Sequence, residues 1–352
     1  MRLFDLKTPS TCAWITTEEL IMAQCDGRSQ TRSSKLVLRL LDLDSEKTQL
    51  KGWQKLADFE GRNVSMLKMI ESRWYLGVDD RLLTSDDLRS WTTVLRGMES
   101  NNVFWHMVEA DARTLFVQEY GPHCSGIYRS SDGGNNWTRL ITSLKIDKEA
   151  RHFHCVAYDK YRRSLIATLG DSNSSKIVVS QDYGDTWKVF YRGAYQCLPI
   201  EISEKLVVFG MDSGLSKGLL TWQPDQNRWR AIHLTPKNVT GITDVLQASD
   251  LKRLKNGLWI MTTGGGSIIL SKTLNTWNLC KTGCSPEFEF HPISNEEDGL
   301  AALSMIETTV LIDSNRNDVE NHYVQVVEHP AYLTRLKASG SFLKHQWRKS
   351  FE

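Results

Sequence analysis

The sequence predicts an all-β fold, a seven-bladed β-propeller with four-stranded antiparallel blades. The first observation is a repeated unit in which a turn precedes an aromatic residue and a short apolar strand, with copies spaced 38 to 50 residues apart. A spacing of about 40–50 residues is the length of one four-stranded blade. The second observation is that alternating and β-branched runs are frequent, whereas helical periodicity is nearly absent. The repeats are marked by Trp53, Trp91, Trp137, Trp187, Trp229, Trp277 and Tyr323.

The third and fourth repeats show the four strands of a blade most clearly. The third predicts an inner strand at 104–109, a second strand at 114–119, a third at 126–129 and an outer strand from Trp137. Clusters of Asp, Gly, Asn and Ser separate these runs and predict the turns between the strands. The fourth repeat shows the same order, so both are interpreted as complete blades.

One domain is expected, with the propeller over residues 1–330 and a C-terminal tail over residues 331–352. The first blade begins near Thr11. Residues 1–8 are expected to pair with the last blade, because closure of the ring removes exposed sheet edges. The tail is rich in Lys and Arg. It is either a solvated, loosely docked segment or a contact for an anionic partner.

Two turns carry a sharper motif. Residues 130–137 and 180–187 both fit the pattern S-x-D-x-G-x-x-W. The Asp carboxylate can accept hydrogen bonds from turn amides, Gly permits a positive φ, and the Trp is available for burial. A third turn keeps Asp86 but has Leu88 at the Gly position, and a fourth, at 271–277, lacks the Asp.

These motifs resemble the Asp-box, or bacterial neuraminidase repeat, of sialidase-like propellers. The resemblance implies that the boxes lie on outer turns between the third and fourth strands of a blade. It also implies that they identify the fold and take no part in chemistry. The Phe-Arg-Ile-Pro segment that supplies the first substrate-binding Arg of sialidases is absent from the chain, so sialidase activity itself is not expected.

Composition excludes several classes of partner. The net charge of the 352 residues is +1, so no global field attracts nucleic acid or an anionic membrane. No apolar run approaches 18 residues and no secretory signal is visible, so the localisation is expected to be cytoplasmic or is unknown. Seven cysteines, an odd number, suit a reducing compartment. Cys280 and Cys284 are close enough to form a disulfide loop or half of a metal site.

A set of polar residues recurs near the starts of the inner strands. Counting five residues back from the acidic residue that ends each inner strand leads to His106, His154, Gln196 and His291. His152 shares a strand face with His154. The resemblance to propellers implies that these positions line the axial channel at the face where ligands bind. Three interpretations stay open: polar channel lining, acid–base catalysis, or a divalent metal held by three imidazoles and an amide oxygen.

Further candidates lie at the ends of second strands and just before an inner strand. Arg192 would hold the carboxylate of an acidic sugar in a bidentate contact, and Tyr120 or a His would move protons. Asp171 and Asp212 would line the channel mouth, although Asp is also common in tight turns. The composition of the His and Gln set, though no sequence motif, is similar to the manganese site of oligogalacturonate lyases.

The leading functional prediction is an enzyme that cleaves an acidic oligo- or polysaccharide at the channel mouth, as a lyase or a glycoside hydrolase. The alternative is a non-catalytic propeller that acts as a binding or assembly module. Neither nucleic acid nor a membrane is an expected partner. The predicted catalytic residues are His106, His154, Tyr120 and Arg192. The predicted substrate-binding residues are Gln196, Asp171, Asp212 and His291. The candidate metal ligands are His106, His154, His291 and Gln196.

Overall fold

The structure is a computed structural model in which a large part of the chain is described. The described residues are 2–6, 10–25, 34–42, 49–59, 64–171, 174–212, 217–235, 237, 239–240, 247–264, 266–281, 292–297, 300–304 and 309–314. His291, Cys284 and Tyr323 lie outside these residues, as do the boundary expected at residue 330 and the tail 331–352. None of the described helices is long and apolar enough to cross a membrane.

Four-stranded antiparallel sheets with the strand order of a propeller blade make up most of the structure. The first strand, β1 (Arg2–Asp5), belongs to the last sheet along the chain. Blade 1 contains β2 (Cys12–Ile15), β3 (Glu19–Cys25), β4 (Ser34–Asp42) and β5 (Gln49–Phe59). Blade 2 contains β6 (Val64–Ile70), β7 (Arg73–Val78), β8 (Arg81–Ser85) and β9 (Thr92–Arg96). Blade 3 contains β10 (Val103–Asp111), β11 (Thr114–Tyr120), β12 (Gly126–Ser130) and β13 (Thr138–Thr142).

The next two blades have the same order. Blade 4 follows the short helix α1 (Ser143–Ile146) and contains β14 (Phe153–Asp159), β15 (Ser164–Leu169), β16 (Lys176–Ser180) and β17 (Lys188–Arg192). Blade 5 contains β18 (Cys197–Ile202), β19 (Val207–Met211), β20 (Gly218–Gln223) and β21 (Arg228–His233), with a 3₁₀ turn at Pro224–Gln226. The first strands of neighbouring sheets contact each other, so they line the centre of the ring.

One sheet departs from the expected pattern by having five strands. It contains β22 (Val239–Thr240), β23 (Ala248–Arg253), β24 (Trp259–Thr263), β25 (Ile268–Ser271) and β26 (Trp277–Lys281). β22 pairs in parallel with β26, placing Val239 opposite Trp277. Both side chains are buried in one hydrophobic cluster, which explains why the connecting segment joins the outer edge of this sheet. Six of the described sheets have four strands, as expected, and this sheet has five.

The closing blade joins the two ends of the described chain. It contains β27 (Ile293–Glu297), β28 (Leu300–Ser304) and β29 (Thr309–Asp313), with β1 as its outer strand. β1 and β29 are antiparallel, and Arg2 pairs with Asp313. The prediction that the N-terminal residues pair with the last blade is confirmed for this strand. The outer strand predicted to begin at Tyr323 lies outside the described residues, and β1 occupies that edge.

The hydrophobic core is divided among the interfaces between adjacent sheets. The repeat aromatics Trp137, Trp187 and Trp229 each pack in the cluster between their own blade and the preceding one. Trp277 is fully buried in the same relative position. Trp53 differs, because 61% of its surface is exposed. The aromatic residue of each repeat is thus mainly an interblade packing residue, as its position at the start of an outer strand indicates.

The motif turns are held by a repeated set of hydrogen bonds. In blade 3, Ser130 Oγ accepts the Gly134 N–H at 2.8 Å, and Asp132 Oδ1 accepts the Asn136 N–H at 2.9 Å. The indole of Trp137 donates to the Gly134 carbonyl. Gly134 has a φ of 85°, and a Cβ there would lie 2.2 Å from the Tyr75 hydroxyl, so both backbone and space require glycine.

The blade 2 turn uses a different aspartate from the one predicted. Asp87, not Asp86, accepts the backbone N–H groups of Arg89 and Ser90. This turn is one residue shorter than the turns at 130–137 and 180–187, and Leu88 adopts the positive φ of 62° at the position of Gly134. The hydrogen bonds from the turn amides lower the pKa of Asp87 to about 2. Asp86 is exposed and lies 3.4 Å from Arg73 instead.

Five cysteines are free thiols, and three of these are buried in the sheets. The five are Cys12, Cys124, Cys155, Cys197 and Cys280. Burial raises the pKa of Cys155 and of Cys197 well above the usual range. Cys12 is also buried and Cys280 is half-buried. The three buried thiols act as small apolar core residues. The suggested pairing of Cys280 with Cys284 lies outside the described residues.

We expect Ser130→Ala to lower the free energy of unfolding by about 1–3 kcal/mol. The substitution leaves the buried Gly134 N–H without its acceptor, and an unsatisfied buried donor costs free energy of this size. Urea unfolding followed by circular dichroism measures the change. Ser131→Ala in the same turn is the control, because Ser131 is exposed and its replacement should cost less than about 0.5 kcal/mol. Equal effects of the two substitutions would contradict the structural role of Ser130.

Candidate functional site

Polar side chains from blades 4 and 5 meet at one end of the inner strands. We call His152, His154, Asp171, Gln196 and Asp212 the mouth cluster. His154 lies in β14 and His152 directly precedes it, while Asp171 follows β15 in the same blade. Gln196 directly precedes β18, and Asp212 directly follows β19. Because β14 and β15 are antiparallel, the start of the first and the end of the second lie at the same edge, and the same holds for β18 and β19.

A β-bulge directs His154 into the cluster. Phe153 pairs with Leu169 and Cys155 with Thr168, so His154 is an extra residue without a partner position on β15. A bulge bends the strand locally and changes the direction of a side chain. The ring centroids of His154 and His152 are 4.9 Å apart, and both residues are buried.

Asp171 is the residue that contacts most of the cluster. Its Oδ2 accepts hydrogen bonds from Arg151 Nη2 at 2.6 Å and Nε at 3.0 Å. Its Oδ1 lies 3.3 Å from His154 Nε2 and 3.6 Å from His152 Nε2. The two oxygens of this carboxylate therefore face different partners: the guanidinium on one side and the imidazoles on the other.

Gln196 connects the two blades. Its Nε2 donates to Asp171 Oδ1 at 3.1 Å and to Asp212 Oδ2 at 3.3 Å. Asp212 Oδ2 also lies 3.8 Å from Nδ1 of His154. One amide and one imidazole thus lie between two carboxylates that come from neighbouring blades.

The two carboxylates differ in their electrostatics. Burial raises the pKa of Asp212 to about 7, although its hydrogen bond from Gln196 acts in the opposite direction. Burial also raises the pKa of Asp171, but contacts with His152, His154 and Arg151 outweigh this and hold it well below the usual range. The pKa of His154 is lowered by burial, which its contact with Asp171 offsets in part.

An aromatic pair borders the cluster on the blade 3 side. Tyr120, at the end of β11, stacks on Trp105 with ring centroids 4.0 Å apart and lies 4.4 Å from the ring of His152. Burial raises the pKa of Tyr120, and the carboxylates of Asp212 and Asp171 raise it further. The phenol therefore keeps its proton near neutral pH, which suits a hydrogen-bond donor and disfavours the predicted role as a base.

His106 does not occupy the position equivalent to His154. Phe104 pairs with Glu119 and His106 with Gln118, so the bulged residue of β10 is Trp105 and His106 corresponds to Cys155. A second irregularity between Glu109 and Asp111 adds one residue to β10. Asp111 therefore lies six residues after the bulged Trp105, whereas Asp159 lies five residues after the bulged His154. A fixed spacing of five residues leads to His106 instead of Trp105 in this blade.

The interactions of His106 connect two blades. Its Nδ1 lies 3.1 Å from Gln118 Oε1, and Gln118 Nε2 donates to the Phe153 carbonyl of blade 4. Burial lowers the pKa of His106 to about 4. Gln196 corresponds to His152 and not, as expected, to His154. The carbonyl of Gln196 accepts the Asp212 N–H, and the carbonyl of His152 accepts the Gly170 N–H in the same way.

Arg192 lies at the same end of blade 4 as the cluster but on the outermost strand. Phe153, Leu169, Lys176 and Arg192 pair successively across the sheet. Three interstrand steps of about 4.8 Å place its backbone ~14 Å from Phe153. Its exposed side chain is therefore remote from the mouth cluster, and Arg151 provides the guanidinium there. His291, also predicted from the repeat, lies outside the described residues.

Some site residues had a weak sequence signal or none. His152 could be found from its spacing of two residues from His154. Arg151 and Trp105 carried no distinguishing pattern, because their contacts with Asp171 and Tyr120 arise from chain segments separated in sequence. The structure thus brings together His154, Tyr120, Gln196, Asp171 and Asp212, and it adds His152, Arg151 and Trp105 to them.

Charged residues also meet deeper along the inner strands. Asp250 accepts the Ile293 N–H at 2.8 Å, and Lys252 Nζ donates to the Ser294 carbonyl at 2.7 Å. Burial raises the pKa of Asp250 to about 6 and lowers that of Lys68 to about 8. The hydrogen bonds join the five-stranded sheet to the closing blade, which indicates a structural role for this group.

Comparison with known proteins supports the fold only. No protein-family profile matches the chain, and no curated protein matches it. A structure of YCF48 bound to a D1 peptide is similar over 89% of this chain and 97% of that chain, with 12% identity and a TM-score of 0.58. The Saccharomyces cerevisiae protein Sqt1 is similar over 89% and 98%, with 10% identity and a TM-score of 0.53. The WD40 domain of Neurospora crassa Pan2 is similar over 88% and 90%, with 9% identity and a TM-score of 0.54. These similarities show a β-propeller and give no evidence for the Asp-box or sialidase-like family.

We expect Glu201→Gln to flatten the dependence of stability on pH. Burial raises the pKa of Glu201 from 4.5 to about 7, although the Lys252 ammonium lowers it. The folded chain therefore keeps this proton up to about pH 7, whereas the unfolded chain releases it near 4.5. Linkage then requires that the contribution of Glu201 to stability falls as pH rises through this window.

Urea unfolding at pH 4.5, 6 and 8 checks this expectation, and the Gln variant should gain stability over the parent at the highest pH. Glu149→Gln, which removes an exposed carboxylate, is the matched control and should leave the pH profile unchanged. A Glu201→Gln profile that parallels the parent would show that Glu201 is ionised in the folded protein at neutral pH.

Proposed function

We propose that the protein is an enzyme that cleaves an acidic oligo- or polysaccharide at the mouth cluster. The observation that carries this proposal is the pair of carboxylates that share the Gln196 amide. The distances of 3.1 and 3.3 Å from that nitrogen limit the separation of the two oxygens to at most about 6.4 Å. Carboxyl pairs in glycoside hydrolases are separated by roughly 5–9.5 Å.

The surroundings of the pair suit an acidic sugar. The side chain of Arg151 is 60% exposed and uses two N–H groups on Asp171 Oδ2, and a guanidinium has five N–H donors in all. The remaining donors supply the carboxylate contact that was expected from Arg192. The stacked rings of Trp105 and Tyr120 offer an apolar surface beside the polar groups, a common feature of ligand sites.

Both cleavage chemistries remain compatible with this arrangement. A hydrolase would use Asp171 and Asp212 on either side of the glycosidic bond. A lyase would use Arg151 to neutralise a uronate carboxylate while His154 or another cluster residue takes the α-proton. As the C=C double bond forms and the glycosidic C–O bond breaks, the proton of Asp212 would pass to the leaving oxygen. Tyr120 would hydrogen-bond the substrate in either case.

We also propose that the motif turns mark an Asp-box propeller of the sialidase-like superfamily and that the five-stranded sheet serves as the remaining blade of a seven-bladed ring. The first part is supported by matching hydrogen bonds in the two turns. The Gly134 and Gly184 N–H groups donate to Ser130 Oγ and Ser180 Oγ, and both turn indoles donate to the carbonyls of the same glycines. The second part is supported by the clusters that this sheet shares with blade 5 and with the closing blade.

The proposal is tested by incubating the purified full chain with a panel of acidic oligosaccharides. New reducing ends detect any cleavage, and the ultraviolet absorbance of an unsaturated uronate detects a lyase. We expect Asp212→Asn to lower kcat by about 10²–10⁴-fold, the range for loss of an acid–base group. Lys188→Ala, on the exposed outer strand of blade 4, is the control and should retain the parent rate.

Arg151→Ala should raise KM for a uronate-containing substrate more than for a neutral analogue. Full activity of Asp212→Asn would show that the mouth cluster takes no part in cleavage.

The alternative is a binding or assembly module, which is favoured by the similarity to a YCF48 structure bound to a peptide. Saturable glycan binding without any product would establish that alternative, and neither binding nor cleavage across the panel would reject the glycan proposal.

A further inference from the structure

We propose that His152 Nε2, His154 Nε2 and Asp171 Oδ1 bind one divalent first-row transition-metal ion. The three ligand atoms lie within 4.8 Å of one another, on two segments of blade 4. The use of this ion in glycan cleavage rests on the proposed function, whereas binding of the ion stands on the geometry alone.

The distances within the group fit a coordination shell. His152 Nε2 and His154 Nε2 lie 3.6 and 3.3 Å from Asp171 Oδ1. The first distance is beyond a normal N–H···O hydrogen bond, and the second contact lacks hydrogen-bond geometry. Ligands about 2.1 Å from a zinc ion in tetrahedral geometry are separated by about 3.4 Å. Each imidazole nitrogen is thus spaced from the carboxylate oxygen as a neighbouring ligand of one ion would be.

The tautomer of His152 leaves a lone pair directed at the carboxylate. Its Nδ1 lies 2.6 Å from the Gly121 carbonyl, which can only accept, so Nδ1 carries a proton. In the neutral ring Nε2 is then an acceptor, and it faces another acceptor, Asp171 Oδ1. Two facing acceptors repel each other unless a cation lies between them. A backbone carbonyl that holds the second nitrogen is also the usual outer-shell partner of a metal-binding histidine.

His154 supplies an independent observation. Only 2% of its side chain is exposed, and neither ring nitrogen has a hydrogen-bond partner among the described residues. A buried polar group without a partner costs about 1–3 kcal/mol, so such groups are rare and require an explanation. A metal ion between Nε2 and Asp171 Oδ1 would satisfy one of these nitrogens.

The rest of the cluster supports the same site. Arg151 binds Asp171 Oδ2, which orients the carboxylate and leaves Oδ1 for the imidazoles. Gln196 Nε2 lies 3.1 Å from Oδ1, and a rotation of this amide would present its oxygen as a further ligand. Asp212 Oδ2, 3.8 Å from His154 Nδ1, borders the group on the blade 5 side.

This set differs from the ligands expected from the repeat pattern. His154 is a ligand in both sets, and His152 and Asp171 take the place of His106. Gln196 is a neighbour of the ion and not one of its three ligands. His291 lies outside the described residues and is not a ligand in this set. Two imidazoles and one carboxylate suit Zn²⁺, Mn²⁺ or Fe²⁺, whereas Ca²⁺ and Mg²⁺ prefer oxygen ligands alone.

The experiment uses the full chain, freed of any affinity tag, stripped with a chelator and dialysed. Zn²⁺ and Mn²⁺ are titrated separately by calorimetry, and the bound metal is counted by mass spectrometry of the dialysed protein. We expect one ion per chain and at least tenfold weaker binding for Asp171→Asn and for His152→Gln. His106→Gln, in the neighbouring inner strand, is the matched control and should bind as the parent does.

Folding of each variant is checked by circular dichroism and thermal melting in the absence of metal. Co²⁺ is a second probe, because its visible absorption reports nitrogen and oxygen ligation directly and should be lost in a folded Asp171→Asn variant. If Asp171→Asn does not fold, Gln196→Ala takes its place and should alter the Co²⁺ spectrum without abolishing binding. Binding of neither Zn²⁺ nor Mn²⁺ by the parent, or equal binding by parent and Asp171→Asn, would overturn the inference.

The two proposals fail separately. Metal bound at one ion per chain without cleavage of any glycan would reject only the proposed function. Glycan cleavage by protein that binds neither Zn²⁺ nor Mn²⁺ in the titrations would reject only the metal site.

Discussion

Each of the described sheets has to bury both of its faces, and the rest of the structure depends on this constraint. The clusters that bury them are each shared by two neighbouring sheets, and the cluster of the closing blade and blade 1 completes the circuit. Burial of apolar surface contributes roughly 25 cal/mol per Å², so these interfaces are the main source of stability. A sheet that lost one neighbour would expose a complete hydrophobic face.

This arrangement leaves the inner strand ends as the place for polar chemistry. The bulges in β10 and β14 interrupt regular pairing where the strands approach the channel mouth, and they present Trp105 and His154 there. Backbone pairing elsewhere in these strands keeps the bulged residues in position. The same rigidity allows Gln196 and Asp212, from a neighbouring blade, to reach the residues of blade 4.

The mouth cluster is not arranged for stability. His154 is buried without a hydrogen-bond partner in the described part of the chain, and Asp212 is largely buried with a raised pKa. By contrast, the buried carboxylate of Glu119 accepts hydrogen bonds from Met98, Asn102, Gly126 and Tyr128. The two carboxyl groups thus differ in their surroundings: four hydrogen bonds reach Glu119, whereas the described hydrogen bond to Asp212 comes from Gln196 alone. Unsatisfied and perturbed groups of this kind are typical of functional sites.

The sequence alone determined the propeller class, the strands of blades 3 and 4 and the pairing of the N-terminal residues with the last blade. It could do so because blade length, strand alternation and turn chemistry are local properties. It also identified most of the mouth cluster, because strand ends are recognisable from those patterns. Only the tertiary structure decided that His106 is out of register with His154, that Arg151 takes the place expected for Arg192, and that β22 extends one sheet. Bulges, contacts between blades and the path of a connecting segment depend on packing between residues distant in sequence, which local patterns do not contain.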